Sequence, residues 1–136
     1  MPTPAQLQKL KAAAKAAVGR AYAPYSRFPV GAAVLTASGR IYAGCNVENA
    51  SYGLSNCAER TAIFNAVAAG GKKLRLNCIA VYTPTKSVTA PCGACRQVIY
   101  EFGPTARVLS FCAGPAHLDV SIDALLPGAF GPQDLA

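Results

Sequence analysis

Apolar residues recur every three or four positions in three segments of the chain, which is the spacing of an amphipathic helix. In the first segment these positions are Leu7, Leu10, Ala14, Ala17, Val18 and Tyr22. They predict a helix from about Ala5 to Tyr22 that is stopped by Pro24, because proline lacks the backbone donor that a helix needs. Residues 57–71 and 91–103 are predicted as two further helices, and each is closed by glycine.

Five apolar runs of strand length predict a sheet. They cover residues 30–36, 41–47, 76–83, 106–112 and a short stretch from position 117, which leads into a helical turn and a tail. The first two runs are separated by "ASGR", where Gly39 can adopt a positive φ, so a hairpin is predicted. The run "LNCIAVYT" at 76–83 is apolar throughout, which is typical of a strand covered on both faces.

The order of these elements, α-β-β-α-β-α-β-β-α, indicates an α/β fold. It predicts a three-layer α-β-α sandwich in which a five-stranded mixed sheet lies between helical layers. A chain of 136 residues is long enough for one core, so residues 1–136 are expected to form a single domain.

Composition narrows the class of protein further. The apolar share of 52% with 14% charged residues excludes a disordered chain, and the apolar stretches break before the roughly 18 residues of a membrane span. Without a recognisable signal peptide, a cytoplasmic protein without a membrane partner is expected. The net charge of +7 allows a nucleic-acid partner. However, only Lys72, Lys73 and Arg75 form a cluster, so a solvated basic surface is favoured and no nucleic acid is expected.

Six cysteines in such a chain predict reduced thiols rather than a disulfide framework. They stand at positions 45, 57, 78, 92, 95 and 112. Cys45, Cys78 and Cys112 lie within apolar strand runs and are assigned to the core. The other three lie at predicted helix starts, where the helix dipole favours a thiolate.

Cys92 and Cys95 form a C-x-x-C pair, and both sulfurs of such a pair lie on one face of a helical first turn. Alone, the pair fits a zinc site, a redox dithiol or ordinary buried thiols about equally, and Cys57 alone fits burial best. Together, the three thiols match a catalytic zinc site, which takes three protein ligands and leaves one position open. One zinc ion per chain is therefore predicted.

Glu59, two residues after Cys57, is a candidate proton carrier. Its simpler interpretation is an acidic residue that opposes the helix dipole. Beside a metal, the same carboxylate could take a proton from a zinc-bound water and return it to a substrate. Three thiolates leave a zinc site with a charge of about −1. Arg60 and Arg96, each next to a ligand, are candidate cations that would offset this charge.

The combination of C-x-E at one helix start and P-C-x-x-C at another resembles the signature of the zinc-dependent nucleobase deaminases. The chain is similar, over nearly its whole length, to the short cytidine deaminases of pyrimidine salvage. The blocks that carry this resemblance, in the family's order, are "SRFPVGAAVL", "GCNVENASYG", "CAERTA", "PCGACRQV" and "LLPGAFGPQDL".

This resemblance implies zinc-dependent hydrolytic deamination of free cytidine and 2′-deoxycytidine to uridine and 2′-deoxyuridine, with release of ammonia. Cys57, Cys92 and Cys95 would bind the zinc. Hydroxide would attack C4 of cytosine, while Glu59 would protonate N3 and then the departing amine.

The resemblance also implies contacts with the nucleoside. Asn46 and Glu48 match the pair that hydrogen-bonds the ribose 3′-hydroxyl, and Phe28 matches the aromatic residue that stacks on the base. The backbone around Ala58 and the carbonyl of Ala90 would hold the polar edge of the base.

The short family members assemble as homotetramers, which the resemblance implies here as well. Tyr52 and Phe130 match residues that the family contributes to the site of a neighbouring subunit. Each cavity would then be closed by side chains from other chains.

Two rival functions remain open at this stage. One is a related zinc deaminase that acts on another cytosine-containing nucleoside, a nucleotide or a nucleic acid. The other is a structural zinc module without activity. Structural sites usually have four protein ligands, and only three convincing ones are found here, which disfavours the second rival.

Overall fold

The computed structural model describes residues 2–136. Its helices are α1 (Pro4–Ala17), α2 (Ala58–Gly70), α3 (Gly93–Phe102) and α4 (Ile122–Leu125), and its strands are β1 (Gly31–Thr36), β2 (Ile41–Cys45), β3 (Leu76–Thr83), β4 (Arg107–Cys112) and β5 (His117–Ser121). The order of elements predicted from the sequence is confirmed. Among the described helices, none has both the length and the apolar character needed to cross a membrane.

The five strands form one mixed sheet with the order β2-β1-β3-β4-β5. β1 pairs antiparallel with both β2 and β3, β3 pairs parallel with β4, and β4 pairs antiparallel with β5. The β1–β2 turn contains Gly39 at a φ of 88°, as its glycine predicts. Because β2 and β3 are both antiparallel to β1, their carboxyl ends lie at the same edge of the sheet.

Helices cover both faces of the sheet, which confirms the three-layer arrangement. On one face, α1 buries Leu10 and Ala14 against a cluster that includes Ala33, Leu35, Ala80 and Leu109. On the other face, α2 and α3 pack Ile63 and Ile99 against a cluster that includes Ala32, Val34, Ile79 and Val108. Every residue of β3 except Asn77 is buried, as expected for a central strand.

The end of α1 differs from the prediction. The helix ends at Ala17 and continues only as a 3₁₀ turn over Val18–Arg20, rather than reaching Tyr22. Tyr22 is 55% exposed and extended, because its N–H donates to Asn46 O at 2.9 Å and its carbonyl accepts from Glu48 N at 2.8 Å. These long-range hydrogen bonds replace the helical ones and anchor the segment that contains Asn46 and Glu48.

Candidate functional site

Two helices begin at the edge of the sheet where β2 and β3 end. Cys57 is the N-cap of α2 and Cys92 is the N-cap of α3, and both have extended backbone torsions. Cys95 lies in the first turn of α3. The sequence prediction that Cys57 and the C-x-x-C pair stand at two helix starts is therefore confirmed, and the topology brings these starts together.

The Sγ atoms of Cys57, Cys92 and Cys95 all lie within 4.8 Å of one another, and those of Cys57 and Cys92 are 3.8 Å apart. Two thiolates on one tetrahedral zinc ion, each bound at about 2.3 Å, are separated by about 3.8 Å. Cys95 is fully buried whereas Cys92 is exposed, so the cluster has a closed side and an open side. The spacing and the soft sulfur donors fit a zinc ion with a free coordination position.

Cys57 and Cys95 hold their protons unequally. Hydrogen bonds, first with Cys95 and then with Arg60 and Cys92, together lower the pKa of Cys57 to about 5 against the opposing effect of burial. The pKa of Cys95 is raised, first by that same bond to Cys57 and then by burial. Of these two thiols, Cys57 thus loses its proton readily, while Cys95 keeps its own because a second negative charge would otherwise accumulate beside the first. A bound cation removes that obstacle.

The two arginines beside the ligands have different partners. Arg60 Nη2 donates to Cys57 Sγ at 3.3 Å, so this guanidinium lies against a thiol as the sequence predicts. Arg96 instead donates from Nε to the Pro91 carbonyl at 2.7 Å and from Nη1 to the Leu125 carbonyl at 2.9 Å. Arg96 therefore ties the start of α3 to α4, and its contacts are with main-chain oxygens.

Glu59 lies in the first turn of α2 and is only 5% exposed. Burial is the largest cause that raises the pKa of this carboxyl above its ordinary value of 4.5, and the charge of Cys57 raises it further. A carboxylate that only opposed the helix dipole would not need to be buried, because an exposed carboxylate can do so without the free-energy cost of burying a charge. The raised pKa favours a group that can both accept and release a proton.

A cavity of about 240 Å³ opens beside the thiols. The predicted site residues that line it are Phe28, Asn46, Glu48, Cys57, Ala58, Glu59, Ala90 and Cys92. Residues from four separate segments thus meet around one small space. The first-turn N–H groups of α2 have no partner within their own helix and are available to a ligand there.

Asn46 holds the main chain on either side of Pro29. Its Nδ2 donates to Phe28 O at 2.8 Å, and its Oδ1 accepts from Val30 N at 2.9 Å. The amide nitrogen carries a second hydrogen that could serve a ligand. Asn46 is 9% exposed, so it is an internal brace rather than a simple strand-end turn residue.

Glu48 is held by a serine that the sequence interpretation missed. Its Oε1 accepts from Tyr25 N at 2.9 Å and from Ser26 N at 3.1 Å, and its Oε2 accepts from the Ser26 hydroxyl. Ser26 also lines the cavity. Nothing in the local sequence points to this contact, because its two residues are 22 positions apart.

Tyr52 and Phe130 lie outside the cavity that contains the thiols. Tyr52 is 74% exposed and lines an adjoining cavity of about 240 Å³ together with Tyr25 and Glu48. Phe130 is 58% exposed, and its carbonyl accepts from Gln97 Nε2 at 2.8 Å. Two large aromatic side chains are thus presented to the outside of this chain.

The sequence is similar to one known protein family over most of its length. The model of the "cytidine and deoxycytidylate deaminase zinc-binding region" matches residues 4–112. A cytidine deaminase of Sporosarcina psychrophila is 47% identical over 132 residues, which cover 96% of this chain and 95% of that protein. One from Mycobacterium tuberculosis is 46% identical over 123 residues, covering 90% and 87%.

Solved structures give the same result. The crystal structure of cytidine deaminase from Burkholderia pseudomallei is 53% identical and has a TM-score of 0.84, covering 90% of this chain and 98% of that one. The cytidine deaminase structure from M. tuberculosis has a TM-score of 0.78 at 43% identity, covering 92% and 97%.

Proposed function

Because the chain belongs to the cytidine and deoxycytidylate deaminase family with a zinc-binding region, we propose that it hydrolyses free cytidine and 2′-deoxycytidine. The products are uridine and 2′-deoxyuridine, with ammonia as the second product. The observation that carries this proposal is the single cavity in which zinc-type thiols, the buried Glu59 and the Asn46–Glu48 pair meet.

Cys57, Cys92 and Cys95 hold the zinc ion. When bound, zinc activates water as the nucleophile for hydrolysis. Because Cys92 is the exposed member of the cluster and lines the cavity, the open side of the cluster faces the space where a base can enter. Arg60 offsets the negative charge of the thiolates through its contact with Cys57 Sγ.

Glu59 moves the proton. Its burial keeps water away and raises the pKa of the carboxyl above its ordinary value, which helps the group to hold a proton, so it can protonate N3 of the base and later the leaving amine. Its position two residues after Cys57 keeps the carboxyl beside the cluster.

Cavity residues orient the nucleoside. Phe28 stacks on the base, while the Ala58 backbone and the Ala90 carbonyl bind its polar edge. Asn46 and Glu48 hydrogen-bond the 3′-hydroxyl of the sugar. An ionised carboxylate only accepts hydrogen bonds, so Glu48 favours a free hydroxyl over a phosphate ester at this place.

The functional assembly is a homotetramer in which Tyr52 and Phe130 complete the cavities of neighbouring chains. The support for this proposal is that both aromatic side chains lie largely exposed in the single chain. Exposed aromatic residues gain most from burial at an interface. The enzyme would serve pyrimidine salvage in the cytoplasm, a reducing compartment that suits its six free cysteines.

The test measures zinc content per chain together with turnover of five substrates: cytidine, 2′-deoxycytidine, the monophosphate of each, and single-stranded DNA. About one zinc ion per chain and preferred turnover of the two free nucleosides are expected. Preference for a monophosphate or for the polymer would contradict the proposed substrate. A stable protein with zinc and no turnover of any of the five would instead indicate the structural zinc module.

A further inference from the structure

We propose that Ser26 is a positioning residue that connects the sugar end of the substrate cavity to its base end. It holds the Glu48 carboxylate on one side and the main chain of Phe28 on the other. The proposal rests on the proposed function, since it concerns how the same cavity binds a nucleoside. It also gives a functional role to the serine that lies between Tyr25 and Phe28 in the segment "YSRF".

The contact with Glu48 fixes both carboxylate oxygens. Ser26 donates its N–H to Oε1 at 3.1 Å and its hydroxyl to Oε2, while Tyr25 N also donates to Oε1 at 2.9 Å. Glu48 is only half-buried, so packing alone does not hold its side chain in place. These hydrogen bonds, with that of the Ser26 hydroxyl the largest cause, also lower the pKa of Glu48 below its ordinary 4.5. The carboxylate is thereby kept charged and oriented.

The contact with Phe28 uses the other side of the same hydroxyl. Ser26 Oγ accepts from Phe28 N at 3.0 Å. Between them, Arg27 adopts a φ of 54°, in the left-handed region, and its N–H donates to Ala23 O at 3.0 Å. A residue other than glycine in that conformation is retained only where surrounding contacts determine it. The tight turn brings the Phe28 amide onto the serine.

The two contacts support each other. A hydroxyl that accepts a hydrogen bond from an amide becomes a better donor to a carboxylate, because the two bonds polarise one another. Asn46 completes the frame, since its amide donates to Phe28 O at 2.8 Å. The residues that meet the sugar and the residue that meets the base are therefore connected through one short chain of hydrogen bonds.

This arrangement predicts an effect on binding rather than on chemistry. The hydroxyl of Ser26 contacts Glu48 and Phe28, whereas Glu59 and the thiols are held by α2 and α3. Removing the hydroxyl should loosen the nucleoside equally in the ground state and in the transition state, which raises KM and leaves kcat nearly unchanged.

The experiment compares Ser26→Ala with the zinc-loaded wild-type chain on cytidine and on 3′-deoxycytidine, which lacks the hydroxyl that Glu48 would bind. For cytidine, a rise in KM of about tenfold is expected, the usual effect of losing one charge-assisted hydrogen bond. The KM for 3′-deoxycytidine should rise less, so the preference for cytidine should shrink several-fold. The conservative variant Ser26→Thr, which keeps the hydroxyl at an exposed position, should restore both values.

Two further variants make the result specific. Ser38→Ala removes a serine hydroxyl in the β1–β2 turn at the opposite end of the sheet, and it should leave both KM values unchanged. In a Glu48→Gln background, Ser26→Ala should add about twofold or less, because the two side chains act through one contact.

Several results would overturn the proposal. An unchanged KM in Ser26→Ala would do so, and so would equal increases for the two nucleosides, which would indicate general loosening of the loop. A fall in kcat that follows a loss of zinc would assign Ser26 a purely structural role. If the wild-type chain itself failed to deaminate cytidine, the proposed function would be contradicted instead, so the two failures are distinguishable.

Discussion

The Arg60 guanidinium lies one helical turn after Cys57, with Nη2 at 3.3 Å from the Cys57 sulfur. This is a charge-assisted hydrogen bond that favours the thiolate form of Cys57, the form that binds a metal. Three thiolates and one zinc ion sum to about −1, and one arginine restores neutrality. Its location on the same helix as Cys57 and Glu59 means that the helix supplies a metal ligand, a proton carrier and a balancing charge together.

Replacing this charge should weaken the site. For Arg60→Gln we expect zinc affinity or kcat to fall by about 10- to 100-fold, as is common when a group that contacts a metal ligand is lost. Arg20→Gln is the matched control, since Arg20 is exposed in the 3₁₀ turn after α1 and the variant has the same net charge. Competition with a zinc-binding dye and steady-state rates provide the measurement. Wild-type values in Arg60→Gln would show that the thiolates need no balancing arginine.

Removing the proton carrier should separate metal binding from catalysis. Glu59→Gln keeps the size of the side chain but cannot accept a proton, so about one zinc ion per chain should remain while kcat falls at least about 100-fold. Glu101→Gln, which changes an exposed glutamate at the end of α3, should behave as the wild type. Turnover close to that of the wild type in Glu59→Gln would refute this residue as the proton carrier.

Assembly gives a third prediction. If Phe130 closes the cavity of a neighbouring chain, Phe130→Ala should lower turnover by about tenfold, because a hydrophobic contact with the substrate is lost. Coexpressing Phe130→Ala with Glu59→Gln should then create sites with both residues intact. Activity several-fold above the sum of the separate variants is expected, together with a tetrameric mass in solution. A monomeric mass, or activity equal to the sum, would contradict shared sites.

Local sequence patterns were sufficient to predict that the three thiols of the cluster stand at helix starts. Cys57, Cys92 and Cys95 could be placed at helix starts because a helix start depends on a few neighbouring residues and its preceding strand. The three-layer order followed from the same patterns, since apolar periodicity reports which faces are covered. Of the three cysteines assigned to the core, Cys78 and Cys112 are buried, whereas Cys45 is only partly covered at the edge strand β2.

Contacts between distant segments could not be predicted in this way. Tyr22 leaves the helix because it bonds to residues more than 20 positions later, and Ser26 holds Glu48 across a similar separation. Periodicity contains no information about such pairs. Arg96 shows the same limit, because adjacency to Cys95 suggested a thiolate partner while its guanidinium contacts Leu125 O, 29 positions away.

The ion pair between β4 and the edge strand β5 gives a prediction for how stability depends on pH. Arg107 on β4 donates two hydrogen bonds to Asp119 on β5, at 2.7 and 2.6 Å, and these lower the pKa of Asp119 below 3.8. An aspartate whose pKa is lower in the folded than in the unfolded protein stabilises the folded state at pH values above the unfolded-state pKa. This contribution is lost as the pH falls through the folded-state pKa.

The expected contribution is small, about 0.5 kcal/mol, because the two side chains are 33% and 37% exposed and solvent screens the pair. Thermal unfolding of the wild type and Asp119→Asn should therefore differ by a few degrees or less at pH 7. The difference should shrink as the pH falls below about 4. A difference that stayed constant down to pH 3 would show that charge is not its cause.

The contact between β2 and α2 gives the last prediction. A Cβ on Gly44 would overlap the main-chain nitrogen of Ala62 and lie 2.8 Å from the carbonyl carbon of Thr61, so the helix that carries Cys57 and Glu59 would have to move. Gly44→Ala should lower the free energy of unfolding by about 1–3 kcal/mol, as overpacking does, and should reduce both zinc affinity and turnover.

Gly19→Ala is the control, since no atom lies within 4 Å of its added Cβ. Denaturant unfolding with zinc titration measures both effects. Unchanged stability in Gly44→Ala would mean that α2 can shift freely, and unchanged turnover despite lost stability would mean that the strand moves instead of the helix.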